Sequence, residues 1–177
     1  FIHMTDPIIR YFPNSRESHA GAEAEDEAPA VLRSSTGGPC GPLSIAIIGF
    51  GNFGQLLASR FVKAGQTVHA TDFLIDQTTA AESIGVGYVH ADPVALLSLP
   101  IDVVIIAVSV LSFASVLRDR IPRSLLEGRL VVDVLSVKEH PRDVMLKVLL
   151  SRDFDLHTSP LKCDVLCTHP IFGPESG

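Results

Sequence analysis

Three glycines in the order Gly-x-Gly-x-x-Gly are the residues of this chain whose spacing first implies chemistry. In Gly49-Phe50-Gly51-Asn52-Phe53-Gly54 the first glycine permits a tight turn and the second lets backbone approach a phosphate. The third lets a helix pack closely on the preceding strand. Such a loop holds a pyrophosphate against the amides of a helix start, so Gly49, Phe50, Gly51, Asn52, Phe53 and Gly54 read as a dinucleotide-binding loop. Asp72 follows at about the 20-residue spacing where an acid takes the adenine ribose hydroxyls. A carboxylate there repels the extra 2′-phosphate of NADP, so Asp72 favours NAD. The competing readings are a glycine turn without ligand and a solvated turn acid.

Polar residues that follow apolar runs form a second set. Open α/β sheets bind ligands at the carboxyl ends of their strands, and Ser109, Ser136, Lys138 and His169 all fall at such ends. Ser109 is read as a further cofactor contact and Lys138 as a lining residue of the substrate pocket. Pro170 biases His169 toward an extended backbone and donates no hydrogen bond itself, which directs the chain out of its strand. An alcohol dehydrogenation needs a base for the hydroxyl proton, and imidazole has the right proton affinity near neutral pH. His169 is the candidate base and Ser136 the candidate partner that orients the hydroxyl or the ring; the alternatives are a histidine bonded to a neighbouring carbonyl and a strand-end turn serine. Cys163, Cys167 and His169 alternate along one extended segment, so they cannot readily surround an ion. No metal site is expected.

Those residues need a frame that brings strand ends together. From Leu43 onward, short apolar runs alternate with amphipathic segments, the pattern of repeated βαβ units. Strands are predicted at Ser44–Ile48, Thr67–Thr71, Val86–Val89, Asp102–Val108, Leu130–Leu135 and Asp164–Thr168. Helices are predicted over 52–64, 76–84, 93–97, from a Ser112 cap to 118, and over 139–150 with Pro141 in the first turn. The fold class is therefore α/β: a doubly wound, mostly parallel Rossmann sheet with helices on both faces. Residues 43–177 form this domain, and residues 1–42, rich in proline and glycine without a period, read as a flexible tail or the remnant of a targeting region.

Composition narrows the function classes. A net charge of −6 without a Lys/Arg cluster argues against nucleic acid as a partner. The run Val103–Val108 is too short to span a bilayer, so no membrane partner is expected. Three cysteines suit a reducing compartment better than a disulfide framework. The chain starts at Phe1 and stops in the loop-like segment 172–177, so it reads as part of a longer product.

Three segments carry a family resemblance: Gly49-Phe50-Gly51-Asn52-Phe53-Gly54-Gln55, Asp133-Val134-Leu135-Ser136-Val137-Lys138-Glu139, and Cys167-Thr168-His169-Pro170-Ile171-Phe172-Gly173-Pro174-Glu175-Ser176-Gly177. In register from about Leu43 to Gly177, they resemble the plant-type arogenate dehydrogenases of the prephenate dehydrogenase family. The resemblance implies oxidative decarboxylation of arogenate to tyrosine, with hydride passing to NAD(P)+. It implies that His169 takes the ring hydroxyl proton, that Ser136 supports it, and that Glu175 shapes or gates the substrate pocket. Plant-type members generally use NADP and carry a Ser-Arg pair where this chain has Asp72-Phe73, so resemblance and Asp72 point to different cofactors. Members continue into a helical domain that supplies the dimer interface and part of the substrate pocket, and residues 1–177 are expected not to include it. Plastid location is implied by the resemblance alone, with the cytoplasm as alternative. Prephenate is the competing substrate, and a truncated, non-catalytic dinucleotide-binding module is the competing class.

Overall fold

The computed structural model describes the backbone of residues 8–11 and residues 41–151 and 160–171. Six strands run parallel: β2 (Ser44–Ile48), β3 (Thr67–Thr71), β4 (Gly87–Tyr88), β5 (Val103–Ile106), β6 (Leu130–Asp133) and β7 (Asp164–Thr168). Their short β-branched runs are buried on both faces, as a sheet covered by helices requires. A further strand, β1 (Ile8–Tyr11), pairs antiparallel with β7. The sheet order is β1-β7-β6-β5-β2-β3-β4. Leaving β1 aside, this is the order of a dinucleotide-binding fold, in which the connection reverses beside the first parallel strand. Residues 8–11 therefore differ from the expectation of a tail: Ile-Ile-Arg-Tyr is short and lacks a neighbouring periodic segment, and only the open edge of β7 supplies its ladder partners.

The crossover helices are α1 (Asn52–Lys63), α2 (Thr78–Ile84), α3 (Pro93–Leu97), α4 (Val110–Ser115) and α5 (Glu139–Met145). Helix α1 ends near Gly65, whose φ of +78° suits a residue without a side chain. Asp92 caps α3, accepting from the Ala95 amide at 2.9 Å, with Pro93 in the first turn. Helices α4 and α5 each continue into a wider π turn, over Val116–Arg120 and Leu146–Leu150.

The start of α4 corrects one expectation. Ser109, not Ser112, is the cap: its Oγ accepts from the Ser112 amide at 3.3 Å, and Oγ of Ser112 lies 3.0 Å away. Strand β5 stops at Ile106, earlier than its apolar run suggested, which frees Ser109 to begin the helix.

Two apolar clusters fill the faces of the sheet. One packs Ala46, Val104, Val131 and Val165 of the strands against Phe113, Leu117, Met145 and Leu149. The other packs Ile45, Ile47 and Val68 against Leu57, Ala58 and Phe50. Alternate strand residues thus serve opposite faces, the two-residue period of a strand.

Candidate dinucleotide site

Strand register aligns the site. Ile48, Ile106, Asp133 and Cys167 are paired partners across β2, β5, β6 and β7 and form one row. Gly49, Ser109, Ser136 and His169 lie one to three residues past that row, all at the carboxyl edge. Three strand spacings separate β2 from β7, about 14 Å. In a fold of this order the adenosine half of a dinucleotide would fall on the β3 side of the first strand and the nicotinamide half on the β5 to β7 side.

The glycine loop is shaped for a phosphate. Gly49 has φ of +98°, and a Cβ there would lie 2.7 Å from the Ala107 carbonyl oxygen. At Gly54 a Cβ would run into the Gly49 carbonyl, so α1 can approach the turn only with glycine at that place. Gly51 is different: φ is −70°, which any residue adopts, and a Cβ there would meet nothing within 4 Å. Its glycine keeps open a space on the exposed side of the loop that a side chain would fill. No side chain caps the start of α1, leaving that end available to an anion. A pyrophosphate fits this cradle.

Asp72, just past β3, faces the same loop. One carboxylate oxygen accepts from the Phe50 amide at 2.8 Å, and the other accepts from Leu74 at 2.9 Å and Ile75 at 3.4 Å. The acid therefore braces the glycine loop against the segment that follows β3. A groove of about 310 Å³ opens here, lined by Gly49, Gly51, Asp72 and Ser109 together with residues of α4 and its π turn. Phe73 and Arg120 close its outer end, the Arg120 guanidinium 5.8 Å from the Phe73 ring centre.

Other assigned residues do different work. The Phe50 ring is fully buried, 5.7 Å from Tyr88, and Phe53 packs half-buried on the same core cluster. Phe50 meets Asp72 through its backbone amide, while its side chain belongs to the core. Ser109 lines the groove while capping α4. Ser136 is exposed and His169 half-buried, both outside the groove lining but at the same carboxyl edge of the sheet. Lys138, expected in a substrate pocket, is turned to an internal role: Nζ lies 2.5 Å from Oδ1 of the fully buried Asp133 and donates to the Thr168 carbonyl. A buried carboxylate demands such a partner, and no other cation is paired with it among the described residues. Glu175 lies outside the described residues. Cys163 is pushed up to about 11 and Cys167 to about 12, first by burial and then by Asp164 and Asp133 respectively, so both stay protonated and unreactive at neutral pH.

Sequence reasoning missed Ser112, Ser115, Val116 and Arg120 as groove residues. Their spacing from Ser109 follows one helical face, a signal that was present once the cap had been placed correctly.

The loop, the brace by Asp72 and the strand order define a nicotinamide-dinucleotide-binding domain of the Rossmann class. A family model described as NADP oxidoreductase, coenzyme F420-dependent, matches residues 44–137, and the chain belongs to that family. It is 38% identical over 176 residues to arogenate dehydrogenase 1, chloroplastic, of Arabidopsis thaliana, a match covering 96% of this chain and 26% of that protein. It is 42% identical over 135 residues to arogenate dehydrogenase 2, chloroplastic, of the same plant, covering 76% and 34% respectively. The chain thus spans about a quarter to a third of the length of these relatives. An imine reductase from Myxococcus stipitatus, solved with NADP+, shares the fold at TM-score 0.54 and 16% identity, covering 75% of this chain and 42% of that one.

Proposed function

We propose that this domain supplies the cofactor half of an enzyme that converts arogenate to tyrosine by oxidative decarboxylation. The observation that carries the reading is the shared carboxyl edge: the phosphate cradle on β2 and His169 at the end of β7 stand just past one register row. Its substrate rests on the likeness to two arogenate dehydrogenases.

Bound NAD(P)+ supplies the hydride acceptor. His169 then takes the ring hydroxyl proton as hydride leaves the carbinol carbon, and returns it to the phenol oxygen once carbon dioxide has departed and the ring is aromatic. Ser136 orients that hydroxyl or the imidazole. Glu175 shapes the substrate side. The pocket is completed by further chain of the helical, dimer-forming kind. Supporting this, Leu111 and Ile171 follow strand ends at the site edge and are 92% and 94% exposed. The plastid names of the two relatives support the same location here.

The test uses the full-length protein with arogenate and with prephenate, following reduced cofactor. Turnover of arogenate is expected, and His169→Asn should lower kcat by roughly 10² or more with cofactor affinity nearly unchanged. Preference for prephenate would replace the substrate. Binding of cofactor without turnover of either acid would leave a non-catalytic module, and an undiminished His169→Asn variant would remove the base.

For the cofactor, Asp72 weighs toward NAD and the family toward NADP. The Asp72 carboxylate stands against the glycine loop itself, so a lower Kd for NAD+ is expected, with Asp72→Ser plus Phe73→Arg moving preference toward NADP+. A parent protein that prefers NADP+ overturns this weighting.

A further inference from the structure

Lys138, Asp133 and Thr168 form a closed network at the ends of β6 and β7. Lys138 Nζ pairs with Asp133 Oδ1 at 2.5 Å and donates to the Thr168 carbonyl. Thr168 Oγ1 donates back to the Asp133 carbonyl at 2.7 Å. The Leu135 amide donates to the same Oδ1 at 2.9 Å, which bends the chain toward Ser136. Asp133 is fully buried, with the Cys167 thiol beside its carboxylate. A buried ion pair is commonly no more stable than an apolar replacement of its volume, so core packing alone does not account for it. What the network does hold is geometry: the clamped carbonyl belongs to the peptide joining Thr168 to His169.

We propose that Lys138, seated by Asp133, is a positioning residue that fixes the direction in which His169 leaves β7, and with it the distance from imidazole to the reacting hydroxyl. The inference rests on the reading of His169 as the base. It assigns to Lys138 no contact with substrate. Three links constrain this one peptide: the β-ladder below it, the ammonium on its carbonyl, and the Thr168 hydroxyl beside it.

The test compares full-length parent, Lys138→Arg, Thr168→Val, and the paired variant Asp133→Asn with Lys138→Met, which removes both charges together. Each is measured for kcat, KM for the substrate, cofactor Kd and the NMR signals of the His169 ring. Misplacing a reacting group by about an ångström costs up to roughly 10²-fold, so the paired variant should lose about 10- to 100-fold in kcat while cofactor Kd stays within about twofold. Thr168→Val, which leaves the ion pair intact, should lose about 3- to 10-fold, and Lys138→Arg should recover most of the parent rate. In the paired variant the His169 ring signals should broaden or split.

Parent-like kcat in both the paired variant and Thr168→Val overturns the proposal. Should the paired variant fail to fold, Thr168→Val and Lys138→Arg decide it. A fully active His169→Asn variant would refute the base and not the network, which is then judged on the ring signals: unchanged signals in Thr168→Val and the paired variant refute it too.

Discussion

Gly51 and Gly54 lie three positions apart in one loop, yet they answer to different demands. A methyl group at Gly54 meets backbone that cannot give way, so Gly54→Ala should cost the fold about 1–3 kcal/mol, read by chemical denaturation. At Gly51 the methyl meets open space at an ordinary φ. Gly51→Ala should therefore change stability by less than about 1 kcal/mol while weakening cofactor binding tenfold or more, measured by fluorescence titration. Equal binding by parent and Gly51→Ala would mean that the open space is not a phosphate site. The thiols give a residue-scale prediction of another kind. Because folding raises Cys163 and Cys167 above the ordinary thiol value of 9.0, the unfolded chain releases their protons first as pH rises. Their contribution to stability is whole below pH 9 and is lost as pH climbs toward about 11 to 12, so denaturation midpoints should fall across that window and less so in the Cys163→Ala, Cys167→Ala variant.

Among the elements, the helix that follows β6 has its end satisfied by a side chain from another segment. Arg123, in the turn after Arg120, donates from Nε to the Val148 carbonyl at 2.8 Å and from Nη2 to the Leu149 carbonyl at 2.9 Å. These are terminal carbonyls of the π turn that extends α5, where the helix ladder ends, and that of Leu149 also accepts from the Leu161 amide at 2.9 Å. Arg123→Ala should lower unfolding free energy by about 1.5–3 kcal/mol, as expected for hydrogen bonds from a charged donor. Arg123→Lys should recover only part of it, since an ammonium lacks the planar fork. A loss below the error of the denaturation curve would show that water caps this end equally well. At α4 the capping serine was misplaced from sequence because Ser109 and Ser112 both precede apolar residues, and the choice depends on where β5 stops. That stopping point is set by pairing with β2 and β6, not by the apolar run itself.

For the whole molecule, the parallel order β7-β6-β5-β2-β3-β4 followed from alternating apolar and amphipathic segments and one glycine loop. Short apolar runs are legible because a strand buried on both faces admits little else. The candidate site was legible to a similar depth. Gly49, Asp72, Ser109 and His169 follow apolar runs, and the return of polarity after such a run is read directly, even where, as before Ser109, the strand itself stops earlier. Lys138 was legible as a polar residue following a strand but its ion pair was not, since nothing local distinguishes a pocket lysine from one that reaches back to a buried acid at the end of the preceding strand. Arg120 and Phe73 come from segments almost 50 residues apart and meet only across the groove.

The order of residues by itself determined the periodicities, the turn at Gly49 and the acid after β3, because those features arise from steric and solvation rules acting within a few neighbouring positions. Folding in three dimensions decided which acid is buried, which cation answers it, and that residues 8–11 complete the sheet edge. Those outcomes depend on which strand lies beside which, and the free energy of a buried charge or an open edge is defined only once its neighbours are in place.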